Sequence, residues 1–108
     1  MAEIISAIEL ARWLADDQRA KPLLLDVREN AELQICQIPN SVHMAIQTVP
    51  GRISELDPEA DIVCICHHGA RSMQVVNFLN QRGFASAINL TGGIHAWASQ
   101  VDPAMQTY

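Results

Sequence analysis

Asp61-Ile62-Val63-Cys64-Ile65-Cys66, followed at once by His67-His68-Gly69-Ala70-Arg71-Ser72, is the stretch that decides the fold. The first part is a short apolar run of the kind that forms a buried strand. The second part is a tight polar loop. A helix then runs from Arg71 or Ser72 to about Arg82, with Gly83 placed as its left-handed C-cap. Strand, tight loop and helix together make one unit of an α/β layer.

The same alternation extends in both directions. Leu23-Leu24-Leu25-Asp26-Val27 is apolar on both faces and too short for a helix, as a covered parallel strand would be. Before it, Ser6 and Glu9 have capping-box spacing, and Ile8, Ala11, Leu14 and Ala15 recur with helical period. These residues predict a helix over about 7–16, preceded by a strand at 3–5. Further on, the pattern predicts a short helix at 30–33, a strand at 42–45, a helix from Pro50 through Leu56, a strand at 87–90 and a closing helix at 94–99. The expected fold is α/β: a compact, open, largely parallel sheet of about five strands with helices on both faces. One domain spans residues 1–108, with about 102–108 as a loose C-terminal tail.

Composition excludes several function classes. The chain has 108 residues, with 7 Lys+Arg against 12 Asp+Glu, for a formal net charge of −5. An acidic surface argues against nucleic acid and anionic membrane as partners. The longest aliphatic run is Leu23 to Leu25, far too short to span a bilayer. Met1 to Leu10 carries Glu3 and Glu9 and no basic, apolar signal pattern, so no secretory signal is expected. Three cysteines, Cys36, Cys64 and Cys66, cannot form a closed disulfide framework. A reducing, cytoplasmic compartment is the expectation.

The chemistry concentrates at Cys66. It stands at the carboxyl end of a buried strand, where open α/β sheets bind ligands. The helix start beyond it offers free N–H groups. A loop curling through His67, His68, Gly69, Ala70, Arg71 and Ser72 can aim several amides at the sulfur. That field, with Arg71 nearby, favours the thiolate, which is the competent nucleophile. Arg71 is expected to offer a cation to a bound anion, and His67 and His68 to wall the pocket.

Four separated motifs together resemble a single-domain rhodanese along nearly the whole chain. Asp26-Val27-Arg28 with Glu32 is similar to the family's D-x-R-x-x-x-E pattern. Ile38-Pro39 followed by Val42-His43-Met44 is similar to its H-I-P-G-A segment. Cys66 through Ser72 resembles its active-site loop, and Gly92-Gly93 with Ala96-Trp97 its closing signature. The resemblance implies a sulfurtransferase that moves sulfane sulfur from thiosulfate or a persulfide donor to a thiophilic acceptor through a persulfide on Cys66. It implies no cofactor, because the cysteine carries the sulfur covalently. It also implies that Asp26 and Arg28 border the site and support the loop. The partner is a small sulfur-containing anion or a persulfide donor, and a protein donor or acceptor is an alternative, as in a sulfur-relay module. This chain departs from the family at Cys36, Gln37 and Asn40, where glycine, histidine and glycine are usual.

Competing readings are weaker. An arsenate reductase or phosphatase of the related branch uses C-x5-R, whereas four residues separate Cys66 from Arg71 here. Cys64 reads as a small buried hydrophobe and Cys36 as a bystander thiol. No metal site is expected, because no second ligand pair with zinc spacing accompanies Cys64, Cys66, His67 and His68. His43 and His95 read as structural or exposed, and Trp13 and Trp97 as packing residues.

Overall fold

The computed structural model describes residues 3–108. Its strands are β1 (Glu3–Ile5), β2 (Leu23–Asp26), β3 (Val42–His43), β4 (Ile62–Ile65) and β5 (Ala87–Leu90). They pair in the order β1-β5-β4-β2-β3, and every pairing is parallel. The helices are α1 (Ala7–Ala15), α2 (Asn30–Leu33), α3 (Val49–Arg52), α4 (Ala70–Gln81) and α5 (Gly93–Gln100).

Local chemistry accounts for the boundaries. Ser6 Oγ accepts from the Glu9 N–H at 3.1 Å, and Glu9 Oε1 accepts from the Ser6 N–H at 3.0 Å, so the capping box starts α1 as its spacing predicts. Gly83 has φ +90 and follows the last turn of α4, the left-handed exit expected of it. The predicted helix from Pro50 through Leu56 is only partly α-helical: α3 is flanked by 3-10 turns at Ile46–Thr48 and Ile53–Glu55. The predicted strand at 42–45 shortens to two residues. Its ladder nevertheless continues, since Met44 N–H donates to Asp26 and Ile46 N–H to Val27.

Period-two alternation along the central strands divides the core into two layers. Leu25, Ile62, Cys64 and Cys66 face the side covered by Val75, Val76 and Leu79 of α4. Leu24, Val63, Ile65 and Leu90 face the opposite side, against Leu10 and Trp13 of α1 and Ile94 and Trp97 of α5. All four residues of β4 are buried, which is what a strand covered on both faces requires. The sheet's carboxyl edge therefore delivers Cys66 to the junction of β4, α4 and α5. Among the described residues, no helix is long and apolar enough to cross a membrane.

The final residues differ from the loose tail expected of them. Val101 and Asp102 N–H groups donate to the Trp97 carbonyl, Met105 packs against the α1–α5 layer, and Tyr108 folds back onto the β2–α2 segment. The physical reason is that Tyr108 finds a buried guanidinium and a carboxylate to bond, which outweighs the entropy of a free end.

Candidate active site

Cys66 follows β4 and is 1% exposed. The chain then turns through His67 and His68 to Gly69, whose φ of +108 lets the loop reverse before α4 begins. The reversal wraps α4's first turn around the thiol. Gly69 N–H points at Cys66 Sγ at 3.1 Å and Ser72 N–H at 3.3 Å, and Ser72 Oγ lies 3.2 Å away. Three groups able to donate thus converge on one sulfur, an arrangement suited to holding negative charge, and among the described residues no side-chain cation hydrogen-bonds to it. Among the described residues, the amides of His67, His68, Ala70 and Arg71 make no hydrogen bond to it. Of the six loop residues singled out from sequence, Gly69 and Ser72 contact the sulfur directly. His67, His68, Ala70 and Arg71 form the rim.

Asn89 of β5 is a site residue that the sequence reading missed. It is 4% exposed, its Nδ2 donates to the Gly69 carbonyl at 3.2 Å, and its Oδ1 lies 2.5 Å from Ser72 Oγ. Ser72 has one hydroxyl proton and three neighbours that can accept it: Asn89 Oδ1, Gly69 O at 3.3 Å and Cys66 Sγ. The hydroxyl is therefore able to turn toward sulfur when sulfur carries charge. The signal in the sequence was a polar side chain within the otherwise apolar Ala87-Ile88-Asn89-Leu90 strand.

Arg71 does not present a free cation. Its guanidinium makes a two-pronged ion pair with Glu32, at 2.7 and 2.8 Å. Arg71 holds the Glu32 carboxyl well below the usual carboxylate range, with help from the Tyr108 hydroxyl that donates to it at 2.7 Å. Asp26 and Arg28 sit one step further back. Both are fully buried and paired at 2.7 Å, and Arg28 also reaches the Cys36 carbonyl at 2.8 Å and Tyr108 Oη at 3.1 Å. The pair orders the segment that carries Glu32, and Glu32 in turn tethers Arg71 at the loop. Burial pushes the Tyr108 phenol up to about 12.

The other cysteines are distinct from Cys66. Cys64 is wholly buried in the α4-side core, where burial and then its neighbour Cys66 push its thiol up to about 12. Cys36 is half-buried, and its sulfur lies 3.9 Å from Arg28. A cavity of about 470 Å³ is lined by Leu14, Lys21, Pro22, Leu24, Ile38 and Trp97 among others, and no cysteine is among its lining residues.

A single thiol cradled by amides at the carboxyl edge of a parallel sheet agrees with the comparison of the chain with known proteins. Residues 6–100 match the rhodanese-like domain family. The chain belongs to that family. This rhodanese-like domain is 38% identical over 98 residues to a sulfurtransferase of Allochromatium vinosum, covering 91% of this chain and 90% of that protein. It is 42% identical over 89 residues to the chloroplastic rhodanese-like/PpiC domain-containing protein 12 of Arabidopsis thaliana. There the alignment covers 79% of this chain but spans only 30% of the plant protein. The crystal structure of a rhodanese-like domain protein from Staphylococcus aureus superposes with a TM-score of 0.83 at 28% identity, over 100% of this chain and 99% of that one. The rhodanese-like fold expected from the motifs is thus the fold of the chain.

Proposed function

We propose that Cys66 is the sulfur-carrying nucleophile of this rhodanese-type sulfurtransferase. The observation that carries the reading is the convergence of Gly69 N–H, Ser72 N–H and Ser72 Oγ on Cys66 Sγ. With thiosulfate as donor, the Cys66 thiolate attacks the outer sulfur, a new S–S bond forms, and sulfite leaves with the electron pair of the bond that breaks. The product is a Cys66 persulfide anion, whose charge remains within reach of the same donors. A thiophilic acceptor, such as cyanide or a thiolate, then attacks the outer sulfur and returns Cys66 as thiolate. The cysteine carries the transferred group, so the cycle calls on no cofactor.

The burial of Cys66 favours a small donor such as thiosulfate or a low-molecular-weight persulfide. Transfer to or from a protein thiol, as in a sulfur relay, is the second form of the same chemistry. Pairing of Arg71 with Glu32 disfavours a phosphatase or arsenate-reductase reading, which needs that guanidinium on the bound oxyanion. Three free cysteines support a reducing, cytoplasmic compartment.

Intact-mass measurement after incubation with thiosulfate, or with a cysteine-desulfurase persulfide, tests the proposal. The wild-type chain is expected to gain one sulfur atom and release it to cyanide, and Cys66→Ser to gain none. Sulfur loading of Cys66→Ser at the wild-type level contradicts it. Loading by the desulfurase alone, with poor turnover of thiosulfate, selects the relay form.

A further inference from the structure

The first turn of α5 lies directly against the loop that follows β4. Ile94 and His95 N–H groups donate to the carbonyls of Cys66 and His67 at 2.9 and 3.1 Å. Gly93 comes so near those carbonyls that a Cβ at its position would collide with them. This backbone contact fixes His95, from a segment remote in sequence, beside His67 and His68.

The three rings form one cluster. Their centroids are 4.0 Å apart for His67 and His68, 5.0 Å for His68 and His95, and 6.2 Å for His67 and His95. One ring nitrogen from each lies within 4.8 Å of the other two. Among the described residues, no carboxylate makes an ion pair with any of them. His68 and His95 are exposed, while His67 is half-buried and stacks on the Tyr108 ring at 3.9 Å and 14°.

Imidazole nitrogens in this arrangement suit a metal ion better than they suit one another. Bonds of about 2.0–2.1 Å in a tetrahedral site need ligand nitrogens roughly 3.3 Å apart. The nitrogens must close by at most about 1.5 Å to reach that spacing, and rotation of the exposed His68 and His95 rings toward half-buried His67 can supply it. Neutral imidazoles with no carboxylate in the set select late first-row cations over magnesium or calcium.

We propose that His67, His68 and His95 form a binding site for one borderline divalent cation of the zinc, nickel or copper class. Three protein ligands leave a coordination position open to solvent at the rim of the Cys66 loop. The site supplies positive charge at the mouth of the loop, where Glu32 already neutralises Arg71. It does not depend on the reading of Cys66, because the thiol is not one of its ligands.

Cobalt(II), followed by its visible absorption, is the direct probe, with zinc then used to displace it from the untagged, chelator-treated full chain. One equivalent is expected to bind with d–d bands of a nitrogen and oxygen environment and without the intense thiolate-to-cobalt band. Cys66→Ser is expected to bind as the wild type does. His95→Ala, an exposed substitution outside the sulfur cradle, is expected to weaken binding at least about tenfold, the scale seen even for residues that only support ligands. Loss of binding in Cys66→Ser, wild-type affinity in His95→Ala, or no saturable one-to-one binding overturns the proposal.

Discussion

Arg71 shows how a side chain's role depends on its neighbours. Its position near the thiol suggested a cation for the substrate, yet Glu32 from the β2–α2 segment takes both prongs of its guanidinium. The pair then acts as a tether across the mouth. Glu32 is faced by Arg71 from α4 and by the Tyr108 hydroxyl, with His67 and Arg28 next in the surroundings. Its carboxyl is held below the ordinary range by Arg71, so linkage sets the sign. The stabilisation is complete above the unfolded-state pKa of about 4.3 and is lost as pH falls through the lower folded value. Denaturant unfolding of wild type and Glu32→Gln across pH checks this. The variant should be less stable at neutral pH by on the order of 1 kcal/mol. That gap should hold constant down to about pH 5 and close below it. A gap that widens on acidification contradicts the pairing.

At the scale of elements, the contact between α5 and the β4–α4 loop matters more than any single helix. Gly92-Gly93 reads in the sequence as a turn, and that much was legible from the residues alone. What it holds was not legible, because the partners are the carbonyls of Cys66 and His67 in another element. Gly83 provides the control, having φ +90 with open space where a Cβ would go, whereas Gly93 has φ +59 and no space. Gly83→Ala should carry only the backbone strain, about 1 kcal/mol, and leave sulfur transfer intact. Gly93→Ala adds a collision with the loop and should cost at least about twice as much while slowing transfer. Chemical denaturation and single-turnover loading of the two variants measure both effects. Equal costs with equal activity would show that the approach of α5 to the loop is dispensable. The same logic explains the shorter helix at Val49–Arg52: apolar spacing marks helical character, but a mixed 3-10 and α geometry depends on how Val49 and Leu56 reach the sheet.

Across the whole molecule, the alternation of apolar strands with capped helices was enough to infer a parallel sheet, since the central strands β2, β4 and β5 are buried on both faces. The order β1-β5-β4-β2-β3 was not, because pairing is decided by contacts distant in sequence. For the same reason Asn89, His95 and Tyr108 joined the site only when β5, α5 and the tail were placed. The overall charge of −5 acquires a consequence from this arrangement. Arg28 is paired with Asp26 and Arg71 with Glu32, so the cradle stabilises charge by short-range dipoles while the molecule as a whole repels anions. A dianionic donor such as thiosulfate therefore approaches against the field until it reaches the loop. Raising ionic strength from about 0.01 M to about 0.15 M shortens the screening length from roughly 30 Å to 8 Å. The kcat/KM for thiosulfate should then rise by about twofold, and that for an uncharged donor should stay level. Steady-state rates at graded chloride concentrations provide the measurement. A rate for thiosulfate that falls with salt would mean that an unpaired cation guides the donor, and that Arg71 leaves Glu32 during turnover.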